Sequence, residues 1–130
     1  MRYLITGGLG LIGSSIAESL RGEVTILSRS SANLDRLKRK DVKLIIKDLK
    51  DIEIKDIEAV DVIYHCASTV DNYNILDNPY IDVDTNINGT IRLLEICKNL
   101  GKKPKIIYPS TFFVYGNEYD KTKSPINEES

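Results

Sequence analysis

Thr6-Gly7-Gly8-Leu9-Gly10-Leu11-Ile12-Gly13-Ser14 decides the fold of this chain. It directly follows the apolar run Tyr3 to Thr6 and opens a stretch, Leu11 to Leu20, whose apolar residues recur at helical spacing. Gly7 permits a tight turn, Gly10 lets backbone approach a pyrophosphate with no Cβ in the way, and Gly13 allows the helix to pack closely on the strand. Gly8 has no role here beyond the turn. The N–H groups at the helix start, on Leu11, Ile12 and Gly13, have no partner within the helix and sit at its positive end, where phosphates are held. Glycines also serve bare turns, but the strand–turn–helix setting favours dinucleotide binding.

Outward from this junction, β-rich runs alternate with helical patterns. Tyr3 to Thr6, Val24 to Leu27, Val42 to Ile46, Val62 to His65 and Lys105 to Tyr108 predict five strands. Leu11 to Leu20, Ala32 to Lys38 and about Asp82 to Leu100 predict helices, and Asp51 to Ile57 a short, weaker one. Continuous apolar strands separated by helices imply an α/β fold with a parallel sheet covered on both faces. Right-handed crossovers narrow this to a doubly wound Rossmann fold with strand order 3-2-1-4-5, ending after the fifth strand. Residues 1–116 are expected to form this incomplete domain, and the polar stretch 117–130, with Pro125, a loop or tail. The helix before Leu100 carries two apolar faces, Ile87, Ile91 and Leu94 on one and Leu93, Ile96 and Leu100 on the other. One can cover the sheet. The other needs a further helix of the same polypeptide or a second subunit, and a homodimer is expected.

Composition narrows the partners. With 130 residues, 42% hydrophobic, 28% charged and a net charge of −1, the chain fits one soluble domain with no attraction to nucleic acid or an anionic membrane. The basic clusters Lys38-Arg39-Lys40 and Lys102-Lys103 read as solvated cations beside helix ends. Cys66 and Cys97 lie in apolar surroundings without CxxC or Cys/His spacing, so burial outweighs a disulfide or metal site and no metal is expected. A reducing cytoplasm suits them, and the start of the chain does not read as a signal peptide.

The end of the second strand speaks to the cofactor. An NAD-specific protein of this architecture usually places Asp or Glu there for the ribose 2′-hydroxyl. Here the position is Ser28, followed by Arg29. A guanidinium pairs with a 2′-phosphate and a serine hydroxyl adds a hydrogen bond, so NADP is favoured over NAD. Arg29 as a solvated loop cation is the alternative.

Thr6 before a Gly-x-x-Gly-x-x-Gly spacing resembles the extended short-chain dehydrogenase/reductase family, in its NAD-dependent epimerase/dehydratase, UDP-glucose 4-epimerase-like branch. The resemblance runs the whole chain. It implies that Asp48-Leu49 contacts the adenine ring, Asp48 being otherwise an N-cap or turn residue. Asp61 to Ser68 resembles the family's Asp-x-Val-x-His-Leu-Ala-Ala stretch, implying that Cys66, Ala67 and Ser68 line the cofactor; His65 itself reads as a packed strand-end residue rather than an acid/base group. Asn86-Ile-Asn-Gly89-Thr90 resembles the family's Asn-Val-x-Gly-Thr helix, which implies Asn86 near the nicotinamide ribose, its alternative being a mid-helix residue bonded to local backbone.

Tyr108 to Gly116 resembles the family's Ser-Ser-x-x-x-Tyr-Gly segment. The implied catalytic hydroxyl is Thr111, beside Ser110 in the cofactor pocket, where it would hydrogen-bond the oxygen being oxidised or reduced. A β-branched residue ending a strand is the alternative, and Pro109 departs from the family pattern. The family's Tyr-x-x-x-Lys acid/base pair is expected beyond Ser130. The literal match Tyr119 to Lys123 lies too early, in a polar stretch without an apolar face. Three functions follow: the dinucleotide-binding part of a nucleotide-sugar epimerase, dehydratase or reductase working by hydride transfer; a binding module without turnover; or a dimerising structural fragment.

Overall fold

The computed structural model describes residues 1–69, 77–116 and 127. Five parallel strands, β1 (Arg2–Thr6), β2 (Glu23–Ser28), β3 (Val42–Ile46), β4 (Val62–His65) and β5 (Lys105–Ile107), form one sheet in the order β3-β2-β1-β4-β5. This is the doubly wound order expected from the sequence, and its reversal between β1 and β4 opens a crevice at their carboxyl ends.

Alternation along β1 separates two cores, because successive side chains leave a strand on opposite faces. Leu4 joins Leu27, Ile57, Ile63, Leu93 and Ile96 on one face. Ile5 joins Leu9, Ala17, Val24, Ile26 and Leu37 on the other. Helix α1 (Leu11–Ser19) covers the second face through Ala17. The first is covered by a 3-10 turn (Leu49–Asp51), the short helix α2 (Ile54–Ile57) and the helix before β5.

That last helix runs from Tyr80 to Asn99 in three parts: α3 (Tyr80–Asp82), a π-helical stretch (Val83–Asn88) and α4 (Gly89–Asn99). Its two faces divide as expected: Leu93, Ile96 and Leu100 are buried, whereas Ile87, Ile91 and Leu94 are about half exposed, in line with exposed Val83 and Tyr80.

The expected helix over Ala32 to Lys38 is a correction. Only Leu34–Arg36 turns, as one 3-10 turn. Asn33 enters it in the left-handed conformation (φ 66°), Ala32 N–H donates to Ser30 Oγ at 3.3 Å, and Leu37 leaves it extended to bury its side chain. The chain beyond is tied to the end of α1 instead of coiling. Glu18 Oε1 accepts the Lys38 and Arg39 N–H groups, at 2.7 and 3.1 Å, and the Arg39 guanidinium donates to the carbonyls of Ala17, Leu20 and Gly22. Arg39 is therefore a clamp with 14% of its side chain exposed, not the solvated cation expected of a basic run.

Residues 117–126 and 128–130, with most of the expected tail and the Tyr119 to Lys123 match, lie outside the described residues, as do 70–76.

Candidate functional site

The turn after β1 packs backbone closely against backbone. Gly7 has φ 66°, and a Cβ there would stand 2.8 Å from the N and Cα of Ala67, where β4 ends. At Gly13 a Cβ would stand 2.5 Å from Gly7 O and 2.7 Å from Gly8 Cα, so α1 can approach the turn only without a side chain. Gly8, read as a turn residue, has a second duty: the side chain of Ile26 fills the space a Cβ would take, at 2.7 Å.

Gly10 caps α1 with its own N–H spent on Gly7 O at 2.9 Å. The cap has no side-chain hydrogen bond, and the first turn of α1 carries no acidic residue. The N–H groups of Leu11, Ile12 and Gly13 thus end in a positive terminus suited to an anion. The side chains of Leu11 and Ile12 are exposed and contribute nothing polar.

A cleft opens beside this terminus. Gly7 and Gly10 form one wall, Ser28 and Arg29 from the end of β2 a second, and Asp48 and Leu49 a third, while Cys66, Ala67 and Ser68 lie along the end of β4. Nine of the residues singled out in the sequence therefore meet in one place. Ser30, Asn33, Lys47 and Thr85 also line it and were not anticipated. The left-handed turn at Asn33 brings residues 30–33 over the cleft, and Thr85 arrives on the π-helical stretch, a kind of element that recurs at functional sites.

Charge in the cleft is mixed. Asp48 spends one oxygen accepting the Lys50 N–H at 3.1 Å, so it is the N-cap of the next turn as well as a lining residue. Lys47 Nζ is held between Glu53 and Asp56, both at 2.8 Å, which raises its pKa; Glu53 is brought down to about 2 by Lys47 first and Lys55 second. Arg29 is exposed at the end of β2.

Leu11, Ile12 and Gly13, at the start of α1 next to Gly10, and Asn86, Ser110 and Thr111 do not line the cleft. The Asn86 amide is engaged by backbone seventeen residues away: Nδ2 donates to Thr69 O and Oδ1 accepts Thr69 N–H, both at 2.9 Å. The Thr69 hydroxyl donates to Asp82 Oδ1. Asn86 thus pins the segment after β4 to the π-helical stretch. Ser110 and Thr111 are exposed beyond β5, where Thr111 Oγ1 accepts the Phe113 N–H at 3.4 Å and caps the 3-10 turn Phe112–Tyr115. Its own proton stays free to donate.

His65 is buried, as a packed strand-end residue should be, and precedes the cleft residue Cys66. Its Nδ1 lies 2.6 Å from Thr6 Oγ1, its Nε2 2.9 Å from Thr90 Oγ1, and its ring lies against that of Tyr108, tilted by 31° with centroids 5.4 Å apart. Burial lowers its pKa. Cys66 and Cys97 are both free, and burial raises both thiol pKa values. Among the described residues no cluster of His, Cys, Asp and Glu is placed to hold a metal ion, and no helix is long and apolar enough to cross a membrane.

Comparison with known proteins gives the family. The model of the NAD dependent epimerase/dehydratase family matches residues 3–130. The chain belongs to that family. UDP-glucose 4-epimerase of Mycoplasma genitalium is 30% identical over 139 residues, covering 98% of this chain and 40% of the relative. UDP-glucuronic acid decarboxylase 1 of Danio rerio is 34% identical over 136 residues, covering 98% and 31%. Among solved structures, UDP-N-acetylglucosamine 4-epimerase from Methanobrevibacter ruminantium M1, in complex with UDP-N-acetylmuramic acid, superposes with a TM-score of 0.80 at 28% identity, covering 98% of this chain and 42% of that one. UDP-glucuronic acid 4-epimerase from Bacillus cereus, in complex with NAD, does so at 0.72 and 26%, covering 89% and 42%. The epimerase/dehydratase chain therefore spans less than half the length of each of these relatives.

Proposed function

We propose that this chain is the dinucleotide-binding part of a nucleotide-sugar epimerase, dehydratase or reductase, and that its cofactor occupies the cleft between the glycine turn and the ends of β2 and β4. The observation that carries this is the start of α1, with no side-chain cap and no acidic residue in its first turn, beside a cleft where Gly10 presents no side chain. An anionic diphosphate fits there without a desolvated carboxylate to oppose it. The bound dinucleotide supplies hydride exchange at a sugar hydroxyl or carbonyl carbon. The protein's own residues bind and orient: N–H groups of Leu11, Ile12 and Gly13 on the diphosphate, Asp48 and Leu49 at the adenine, and Cys66, Ala67 and Ser68 along the path toward the reacting end. Asn86 acts on that end through Thr69, whose backbone it holds. Thr111, with Ser110 beside it, lends its hydroxyl proton to the reacting oxygen as negative charge develops there.

We infer a preference for NADP over NAD. Ser28 and Arg29 end β2 inside the cleft, and neither carries the negative charge that would repel a 2′-phosphate. Because the B. cereus relative was solved with NAD, the preference is decided by direct competition. Titrating the chain with NADPH and NADH, followed by nicotinamide fluorescence, is expected to give saturable binding of both and tighter binding of NADPH. Binding of neither would overturn the cleft assignment, and tighter NADH would overturn the preference alone.

The half-exposed row Val83, Ile87, Ile91 and Leu94 supports a second copy of the chain as partner through this helix. The two free cysteines suit a reducing cytoplasm.

A further inference from the structure

We propose that His65 is a positioning residue for the cleft: a neutral ring locked as the Nε2–H tautomer in a one-directional hydrogen-bond chain from Ala67 through Thr6 and Thr90 to Asn86. This rests on the dinucleotide reading of the cleft. The direction follows from counting protons. A threonine hydroxyl has one. That of Thr90 goes to the Asn86 carbonyl at 2.7 Å, so toward His65 Nε2, 2.9 Å away, Thr90 can only accept, and Nε2 carries a hydrogen. At the other end Thr6 Oγ1 accepts the Ala67 N–H at 3.1 Å, and its own proton points to His65 Nδ1 at 2.6 Å, which must be bare to receive it. Every donor and acceptor is then used once, in one sense, from β4 through the ring to the long helix.

The opposite tautomer would set bare Nε2 against the lone pairs of Thr90 and leave the Thr6 proton without its acceptor. Both faults would lie in a buried place, where an unmade hydrogen bond is expensive. A charged ring fares no better: the groups against it are the Thr6 and Thr90 hydroxyls and the Tyr108 ring, with no carboxylate among them.

The chain matters because of what hangs from its ends. Ala67 meets Gly7 on the cleft wall at a spacing where a Cβ would collide, and the Thr6 hydroxyl sets where the Ala67 N–H lies. At the far end, the Asn86 amide holds Thr69. The ring therefore joins the glycine turn, the exit of β4 and the π-helical stretch without touching the ligand.

His65 is the only histidine, so its ring nitrogens are read without ambiguity in a 15N spectrum of the nucleotide-free chain at neutral pH. A protonated Nε2 with a bare Nδ1 is expected. The other tautomer, an even mixture or a charged ring overturns the chain of bonds. Thr6→Val keeps the shape and removes the hydroxyl; it should let the ring populate both tautomers and weaken NADPH and NADH binding about tenfold, with Thr6→Ser restoring both. Unchanged affinity in a folded Thr6→Val protein overturns the positioning role. Should that variant fail to fold, Thr90→Val cuts the same chain at its other end and should weaken binding about threefold, and unchanged affinity there overturns the role equally. If the wild-type chain binds neither nucleotide, the cleft reading and the positioning role fall together, whereas the ring tautomer, measured without nucleotide, still decides the bond chain.

Discussion

The carboxyl ends of β1 and β5 lie on the same side of one parallel sheet, and they are finished to different degrees. Past β1, Gly7, Gly13 and Ala67 are in contact tighter than any side chain would allow, and the Thr6 hydroxyl is bonded on both sides. Past β5, Tyr108, Phe113 and Val114 are 60%, 70% and 67% exposed, and the hydroxyl given a chemical role, that of Thr111, caps a surface turn. The proposed binding elements are local, built within one strand–turn–helix unit and its neighbours, whereas the segment that carries Thr111 lies on the surface of the described residues.

Substitutions can break this contrast at graded cost. Gly13→Val should have the largest effect, since its Cβ must displace Gly7 O and Gly8: dinucleotide binding is lost in a fluorescence titration, and stability falls by about 3 kcal/mol or more. Leu93→Ala, at the fully buried face of α4, should cost about 3 kcal/mol in denaturant melts while the cleft keeps its ligand. Arg29→Ala should weaken NADPH about tenfold and leave NADH nearly unchanged; equal losses for both would make Arg29 a general contributor and not a reader of the 2′-phosphate.

Acid tests the buried end differently. His65 has its pKa lowered by burial, so the folded chain resists the proton that the unfolded chain accepts near 6.5. Stability is full above that value and declines as the pH drops below it toward the folded pKa; a His65→Gln variant should flatten this part of a pH-resolved melting series. Smallest in stability is Ile91→Lys on the half-exposed face, expected within about 0.5 kcal/mol of wild type; the proposed pairing through this face predicts a dimer for the wild type and a monomer for the variant in sedimentation velocity, and a wild-type monomer overturns that pairing.

Periodicity carried the fold a long way. Strand order, the two faces of the long helix and the cleft residues Gly7, Gly10, Ser28 and Arg29 were legible from local pattern or from chemistry at a strand end, whereas Asp48, Leu49, Cys66, Ala67 and Ser68 were reached through the family resemblance. Ala32 to Lys38 misled because Leu34 and Leu37 imitate helical spacing, whereas Asn33 in the left-handed region and the Arg39 clamp favour an extended path. Arg39 itself read as one of a basic run, since nothing local announces three carbonyls from another element. The same reason hid the His65 chain, whose members Thr6 and Thr90 stand 59 and 25 residues away. Gly8 was legible as a glycine but not as the place where Ile26 rests.

The helix-free link between β2 and β3 has a consequence for how the molecule opens. β3 ends one side of the described sheet without one fully buried residue, and Ile46 is half exposed. Its amides should exchange with deuterium ahead of those of β1 and β4, which lie inside the sheet. A bare edge of this kind invites other chains to add on. Lys43, exposed within the strand, puts charge where such a stack would grow and works against edge-to-edge addition.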